Sequence, residues 1–171
     1  MFLSTKRYGH EIGLSSCFRQ HRAGSHCALL HGYAMAFKFT FATLDNTLDV
    51  RNWVVDFGAL KGLKAMLEAS FDHKTVVAED DPQIEWFKEA ERRKILELVV
   101  LPSVGCEKFA EYVYECAEQW LFDNGFSPRC WLVSVEVSEH GANSAIFAPA
   151  LNHTGKRIGP ALAYDPIHGT A

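Results

Sequence analysis

The stretch Ser25-His26-Cys27-Ala28-Leu29-Leu30-His31-Gly32-Tyr33 holds a cysteine and two histidines within six residues and opens into a strongly alternating segment. A thiol becomes a base or nucleophile once a neighbour stabilises its thiolate, which makes Cys27 the first candidate for chemistry. Asp72-His73 is a candidate neighbour, because a carboxylate that fixes the tautomer and orientation of an imidazole suits general acid–base work. The same two residues also read as a turn cap beside a surface histidine. Glu139 closes the best strand pattern of the chain, followed by Gly141 and Asn143. A carboxylate there can accept two parallel N–H bonds from a guanidine-like edge such as 2-aminopyrimidinone, or stand as a solvated acid. Arg19, Arg22 and Lys74 either meet a phosphorylated substrate or are surface charges.

His21, His26 and His31 raise the question of a metal. Zinc takes neutral imidazoles, and its catalytic sites use three protein ligands and one open position. Convergence of these three histidines on zinc is one expectation. A strand-borne His-x-His pair would put both rings on one face, but the second position here is Tyr33.

These residues need a scaffold. Tyr33, Met35, Phe37, Phe39 and Phe41 share one parity and Ala34, Ala36, Lys38, Thr40 and Ala42 the other, so 32–43 reads as a long half-buried strand. Residues 2–20 read as a first strand interrupted at Gly9 and Gly13. Leu44–Thr47 reads as a turn, and Trp53–Asp56 as a short strand or extended piece. Asp56 caps a helix with Phe57, Leu60, Leu63, Lys64 and Leu67 at helical spacing, ending near Ser70. Residues 75–82 read as an acidic loop and 83–97 as a second helix, with Ile84, Phe87 and Ile95 inward. An extended link, 99–102, leads to a third helix over 105–123, closed by Asn124-Gly125. Strands follow at 130–140 and 144–148. The order predicts an α+β domain over 1–148, an antiparallel four-stranded sheet with helices on one face, and an irregular tail over 149–171. Two unpaired edges favour assembly into a ring.

Composition narrows the class. The 171 residues are 48% hydrophobic and 22% charged, with a formal net charge of −4, and carry no basic excess for nucleic acid. Apolar runs are too short to span a bilayer, and Met1–Lys6 lacks the apolar core of a signal peptide. Five cysteines without a pairing pattern fit a reducing compartment, so the expected location is cytoplasmic.

The constellation resembles the 6-pyruvoyl-tetrahydropterin synthase / 6-carboxy-tetrahydropterin synthase family. The carrying residues are Cys27 four before His31-Gly32, Val55-Asp56-Phe57 followed by Leu60-Lys61, Asp72-His73, Glu107 opening a helix, and Val135-x-Val137-x-Glu139 with Ile146-Phe147 seven residues later. The likeness runs over roughly residues 10–147. It implies the tunnelling fold, or T-fold: ββααββ subunits that close as trimers into a barrel, usually stacked as hexamers, with active sites at subunit interfaces. It implies Cys27 as general base assisted by Asp72 and His73, and Glu139 as the pterin anchor with Cys106-Glu107 nearby. A zinc ion would polarise the substrate's side-chain hydroxyls. The implied activity is that of a carbon–carbon lyase. It converts 7,8-dihydroneopterin triphosphate to 6-carboxy-tetrahydropterin on the way to 7-deazaguanines such as queuosine.

Two departures stand out. The family places one zinc histidine at the end of the first strand and two in His-Gly-His. The corresponding residues here are Phe18 on an ungapped match, or His21 after a shift of three, and His31-Gly32-Tyr33. Two alternatives therefore accompany the lyase: altered pterin or purine chemistry without zinc, and a non-catalytic ring that binds a pterin or a protein partner.

Overall fold

The computed structural model describes residues 1–149; the rest of the expected tail lies outside the described residues. The central strand is the alternating one, β3 (His31–Thr43). One of its edges takes two shorter strands in succession, β1 (Leu3–Tyr8) along Phe37–Ala42 and β2 (Leu14–Phe18) along His31–Met35. The expected first strand is thus one broken strand. Residues 9–13 between its halves form a 3-10 turn that Gly13 closes in the left-handed conformation, φ +77°. On the other edge of β3 lies β6 (Cys130–His140), followed outward by β7 (Asn143–Phe147).

Two more strands extend the sheet, which has seven in all. The expected acidic loop begins as β4 (Lys74–Ala78), parallel to β2, and the expected extended link is β5 (Glu97–Leu101), parallel to β4. Thr75, Val76, Val77 and Ala78 are all buried. A strand covered on both faces reads as a plain apolar run without alternation, which is why β4 does not announce itself in the sequence. The sheet is therefore mixed rather than purely antiparallel, while the α+β class stands. Trp53–Asp56 forms no strand.

Three helices carry the apolar stripes, α1 (Lys61–Phe71), α2 (Ile84–Arg92) and α3 (Cys106–Asp123). Leu63, Leu67 and Phe71 of α1 and Phe109, Val113, Ala117 and Leu121 of α3 join Met35, Phe37, Phe39 and Phe41 of β3 in one core cluster. Phe71 sits at its centre, its ring 4.9 Å from Phe37 and 5.3 Å from Phe109. Each such side chain contributes about 1.5–3 kcal/mol through burial. Two apolar residues depart from expectation. Phe57 is exposed because 57–60 is a 3-10 turn entering α1, and that rotates it off the helix stripe. Ile95 is exposed because α2 ends at Arg92 and Lys94 turns left-handed, φ 60°. Among the described residues no helix is long and apolar enough to cross a membrane.

The exits of the parallel neighbours β2 and β4 are fastened by charge. Arg19 donates from Nε and Nη2 to the two carboxylate oxygens of Asp81, each at 2.8 Å, and Asp81 is buried. Asp81 also accepts the Gln83 N–H at 2.8 Å, starting the turn into α2. The Arg19 hydrogen bonds, then the Gln83 N–H and the charge of Arg19, hold the Asp81 carboxyl below the usual carboxylate range against the opposing effect of burial. A depressed folded-state pKa stabilises above the unfolded value and is lost as pH falls through the folded one. Asp81→Asn should cost roughly 2 kcal/mol at pH 7 in urea unfolding. The gap from wild type should close as pH drops below about 4, where the unfolded carboxyl titrates. A gap of the same size at pH 7 and pH 3 would contradict this assignment.

Candidate active site

The thiol-bearing loop is tied to the end of β2. Ser25 caps the 3-10 turn His26–Ala28, its hydroxyl accepting the Cys27 N–H at 3.4 Å. The Gln20 N–H donates to Cys27 O at 2.8 Å, and Arg19 Nη1 lies 3.4 Å from Ala28 O. Arg19, expected as a substrate contact, thus spends its guanidinium on Asp81 and on this loop. Cys27 itself is exposed.

β3 starts four residues after Cys27, and its register against β2 sets Phe18 directly across from His31. Their rings are 5.1 Å apart, and Tyr33, two residues on and so on the same face, meets His31 at 5.4 Å and a right angle. Phe18 is also 6.1 Å from Tyr33 and 5.0 Å from Phe109 of the core. His31 Nδ1 lies 2.6 Å from Leu29 O; a carbonyl only accepts, so Nδ1 carries the proton and Nε2 of the neutral ring keeps its lone pair.

The pairing of β6 with β3 begins at Ser138 and Ala36, so the end of β6 runs past Tyr33. His140, whose ring is 6.0 Å from Tyr33, is a residue that the motif reading missed, although it directly follows Glu139. Its Nδ1 accepts the Ala142 N–H at 3.2 Å. The Glu139 carboxylate is held from two sides: the Cys106 thiol points to Oε2 at 4.0 Å, and Asn143 Nδ2 donates to Oε1 at 3.3 Å. Burial first, then the charges of Glu139 and Glu107, push the Cys106 thiol up to about 12, so it stays a donor. Gly105 permits this entry to α3. Its φ is +118°, and a Cβ there would stand 2.7 Å from Gln20 Nε2. Glu107 then falls in the first turn of α3, where the helix dipole favours a carboxylate. Burial, followed by the charges of Glu139, Cys27 and Cys106, raises Tyr33 above the ordinary phenol value. One chain therefore gathers Cys27, His31, Tyr33, Cys106, Glu139 and His140.

Asp72 and His73 are elsewhere. His73 Nδ1 is 2.8 Å from Asp72 Oδ1, so the acid–imidazole pair is made, and its ring is 82% exposed. But the His73 N–H donates to Ser15 O at 2.7 Å, near the start of β2, whereas Cys27 is fastened to Gln20 beyond its end. Five extended residues span on the order of 16 Å. The proposed base and its assistants sit at opposite ends of one strand. His21 is also turned away from His31: it lies 3.8 Å from both Asp80 and Asp81. His26 sits exposed in the 3-10 turn. Among the described residues, no three side chains of His, Cys, Asp or Glu gather so as to hold a metal ion.

The structure thus defines an α+β sheet protein with an anchored carboxylate at the end of β6 and an accessible thiol on the loop that leads into β3. A sequence model of the 6-pyruvoyl tetrahydropterin synthase family matches residues 9–150, and the chain belongs to this family. It is 37% identical over 88 residues to a 6-carboxy-5,6,7,8-tetrahydropterin synthase of Rickettsia typhi, a match covering 49% of this chain and 57% of that relative. In structure it is similar to an uncharacterized protein of Wolinella succinogenes, with TM-score 0.71, 17% identity and coverage of 86% and 97% of the two chains. It is also similar to the 6-pyruvoyl tetrahydropterin synthase of Plasmodium falciparum, with TM-score 0.58, 14% identity and coverage of 85% and 96%. The fold is the T-fold expected from the resemblance. The three-imidazole zinc set implied with it does not fit the residues present: Phe18 has no donor atom, and a neutral tyrosine oxygen is a poor substitute for imidazole.

The two thiols of the site should separate chemically. With its thiol pushed up to about 12 by burial and by the charges of Glu139 and Glu107, Cys106 stays protonated and unreactive at pH 8. Brief iodoacetamide treatment at that pH, read by peptide mass spectrometry, should label Cys27 well before Cys106, Cys116 or Cys130. Equal labelling of Cys27 and Cys106 would refute the thiol–carboxylate arrangement.

Proposed function

We propose that this chain is a pterin-processing lyase of the 6-carboxy-tetrahydropterin synthase type. The observation that carries the reading is the Glu139 carboxylate, oriented by Cys106 and Asn143 and, like Cys27, near enough to Tyr33 to act on its phenol. Two parallel N–H bonds from the 2-amino and ring N–H edge of a pterin match such a carboxylate. Its anchorage sets the side chain of the pterin toward Cys27, His31 and Tyr33, where proton removal occurs. The substrate on this reading is 7,8-dihydroneopterin triphosphate. With one water it yields 6-carboxy-tetrahydropterin, acetaldehyde and triphosphate, and the product feeds 7-deazaguanine (queuosine) synthesis in the cytoplasm.

Cys27 acts as the base, and the Asp72-His73 pair assists it from a second copy of the chain. The geometry favours this division: both groups are exposed, each is complete in itself, and strand β2 holds them apart within one chain. Association as a trimer or hexamer is part of the proposal, with the outer edges of β1, β5 and β7, unpaired among the described residues, as the edges for it.

The experiment is turnover of 7,8-dihydroneopterin triphosphate, followed by acetaldehyde release, beside pterin binding by fluorescence. Cys27→Ala should lose at least about a hundredfold in kcat while binding changes little. Glu139→Gln should weaken binding about 10- to 100-fold, the worth of a charged hydrogen-bonding anchor. Mixing Cys27→Ala with His73→Ala chains should restore part of the activity, since mixed assemblies contain sites with both residues intact. Intact pterin affinity with no turnover in any form would favour the non-catalytic ring.

A further inference from the structure

The cluster at the start of β3 has the layout of a ligand cage and the chemistry of something else. Register places Phe18 opposite His31 and Tyr33 on the same face, so three rings converge within 5.1–6.1 Å. Of the three, one has no polar atom, one has an imidazole whose Nδ1 is spent on Leu29 O, and one has a phenol. The polar atoms that these three rings still offer are a lone-pair nitrogen, His31 Nε2, and a hydroxyl donor on Tyr33. The nearby carboxylate and thiols do not complete the set, because among the described residues no three side chains of His, Cys, Asp or Glu gather so as to hold a metal ion. Phe18 is buried to 1% exposure against Phe109, so its ring is part of the core and cannot swing aside to admit another donor.

We infer that this site operates as a hydrogen-bonding pair in place of a zinc ion, with His31 Nε2 accepting from, and Tyr33 Oη donating to, one hydroxyl of the substrate side chain. An alcohol carries one proton and two lone pairs, so a single oxygen satisfies both groups at once. Tyr33, as the donor, does for that hydroxyl part of what a Lewis acid would do, stabilising charge that develops on its oxygen, while His31 fixes the direction of its O–H. The identity of the hydroxyl-bearing ligand rests on the pterin reading above; the exchange of a cage for a donor–acceptor pair does not.

The test separates the two. The chain, purified without a histidine tag, equilibrated with zinc and desalted, should retain less than about one zinc per ten chains. The Phe18→His/Tyr33→His double variant should retain about one per chain. Cobalt(II) absorption gives the same comparison spectroscopically, and Tyr33→His alone, which leaves the core ring in place, should bind cobalt more weakly than the double variant but more tightly than wild type. About one zinc per wild-type chain overturns the inference. A well-folded double variant that takes up none also overturns it, because positions 18, 31 and 33 would then not form a cage. For the donor role, Tyr33→Phe should weaken binding of 7,8-dihydroneopterin about tenfold and leave 6-methylpterin, which has no hydroxyl, unchanged. An equal effect on both ligands refutes the Tyr33 contact. If wild type binds neither pterin, the pterin reading fails while the zinc comparison still decides the cage.

Discussion

The register of β3 controls the rest of the molecule. Thirteen residues long, the strand pairs with β2 along its first part and with β1 and β6 along its second. Its odd positions from Met35 to Phe41 are the floor of the core, and the same parity carried two steps toward the N-terminus places His31 and Tyr33 on that face, beyond the cover of the helices. A slip of one residue would send the phenylalanines to the other face and take His31 and Tyr33 with them. Stability and site geometry are therefore the same constraint: the burial of Phe37, Phe39 and Phe41 fixes which way the imidazole and the phenol point.

Around that strand the chain attaches the remaining groups by short polar links. Arg19 is the busiest of them, joining the exits of β2 and β4 through Asp81 and reaching the loop that carries Cys27. Cys106 and Asn143 do the equivalent for Glu139, one from the start of α3 and the other from the start of β7. A carboxylate gripped at both oxygens loses little freedom when a ligand arrives, which is the physical advantage of an anchor built in advance. The grip is gentle, since a thiol is a weak donor and leaves most of the acceptor strength of Glu139 unspent.

Much of this was legible beforehand, for identifiable reasons. The alternation in β3 and β6 and the helical stripes of α1 and α3 are strong periodic signals, and their bounds fall within a few residues of expectation. The parallel strands β4 and β5 were not legible, because doubly buried strands carry no alternation and short apolar runs fit loops and helices alike. At the candidate site, Cys106 lies beside Glu139, the neighbourhood that the family resemblance implies. Arg19 and His21 do not join them, since both are drawn to the Asp80-Asp81 turn. No local pattern announces a salt bridge spanning 62 residues of sequence. Residues 150–171, the body of the expected tail, fall outside the described residues.

The separation of Cys27 from Asp72-His73 follows from topology rather than from chance placement. The crossover from β3 through α1 returns the chain to β2 as a parallel neighbour, so β4 must begin where β2 begins. Residues just ahead of β4 therefore lie at the entrance of β2, and residues just after β2 lie at its exit. Asp72-His73 and the Cys27 loop are fixed to those two places by their position in the chain, whatever their side chains. His73 adds to this by adopting φ 56°, which lets its N–H reach Ser15 O while its ring stands free in solvent. No rotamer change closes a gap of that size, because an imidazole and a thiol together reach only about half of it. On the proposed reading, an acid–base set made of these three residues therefore requires two copies of the chain, one presenting each end of β2.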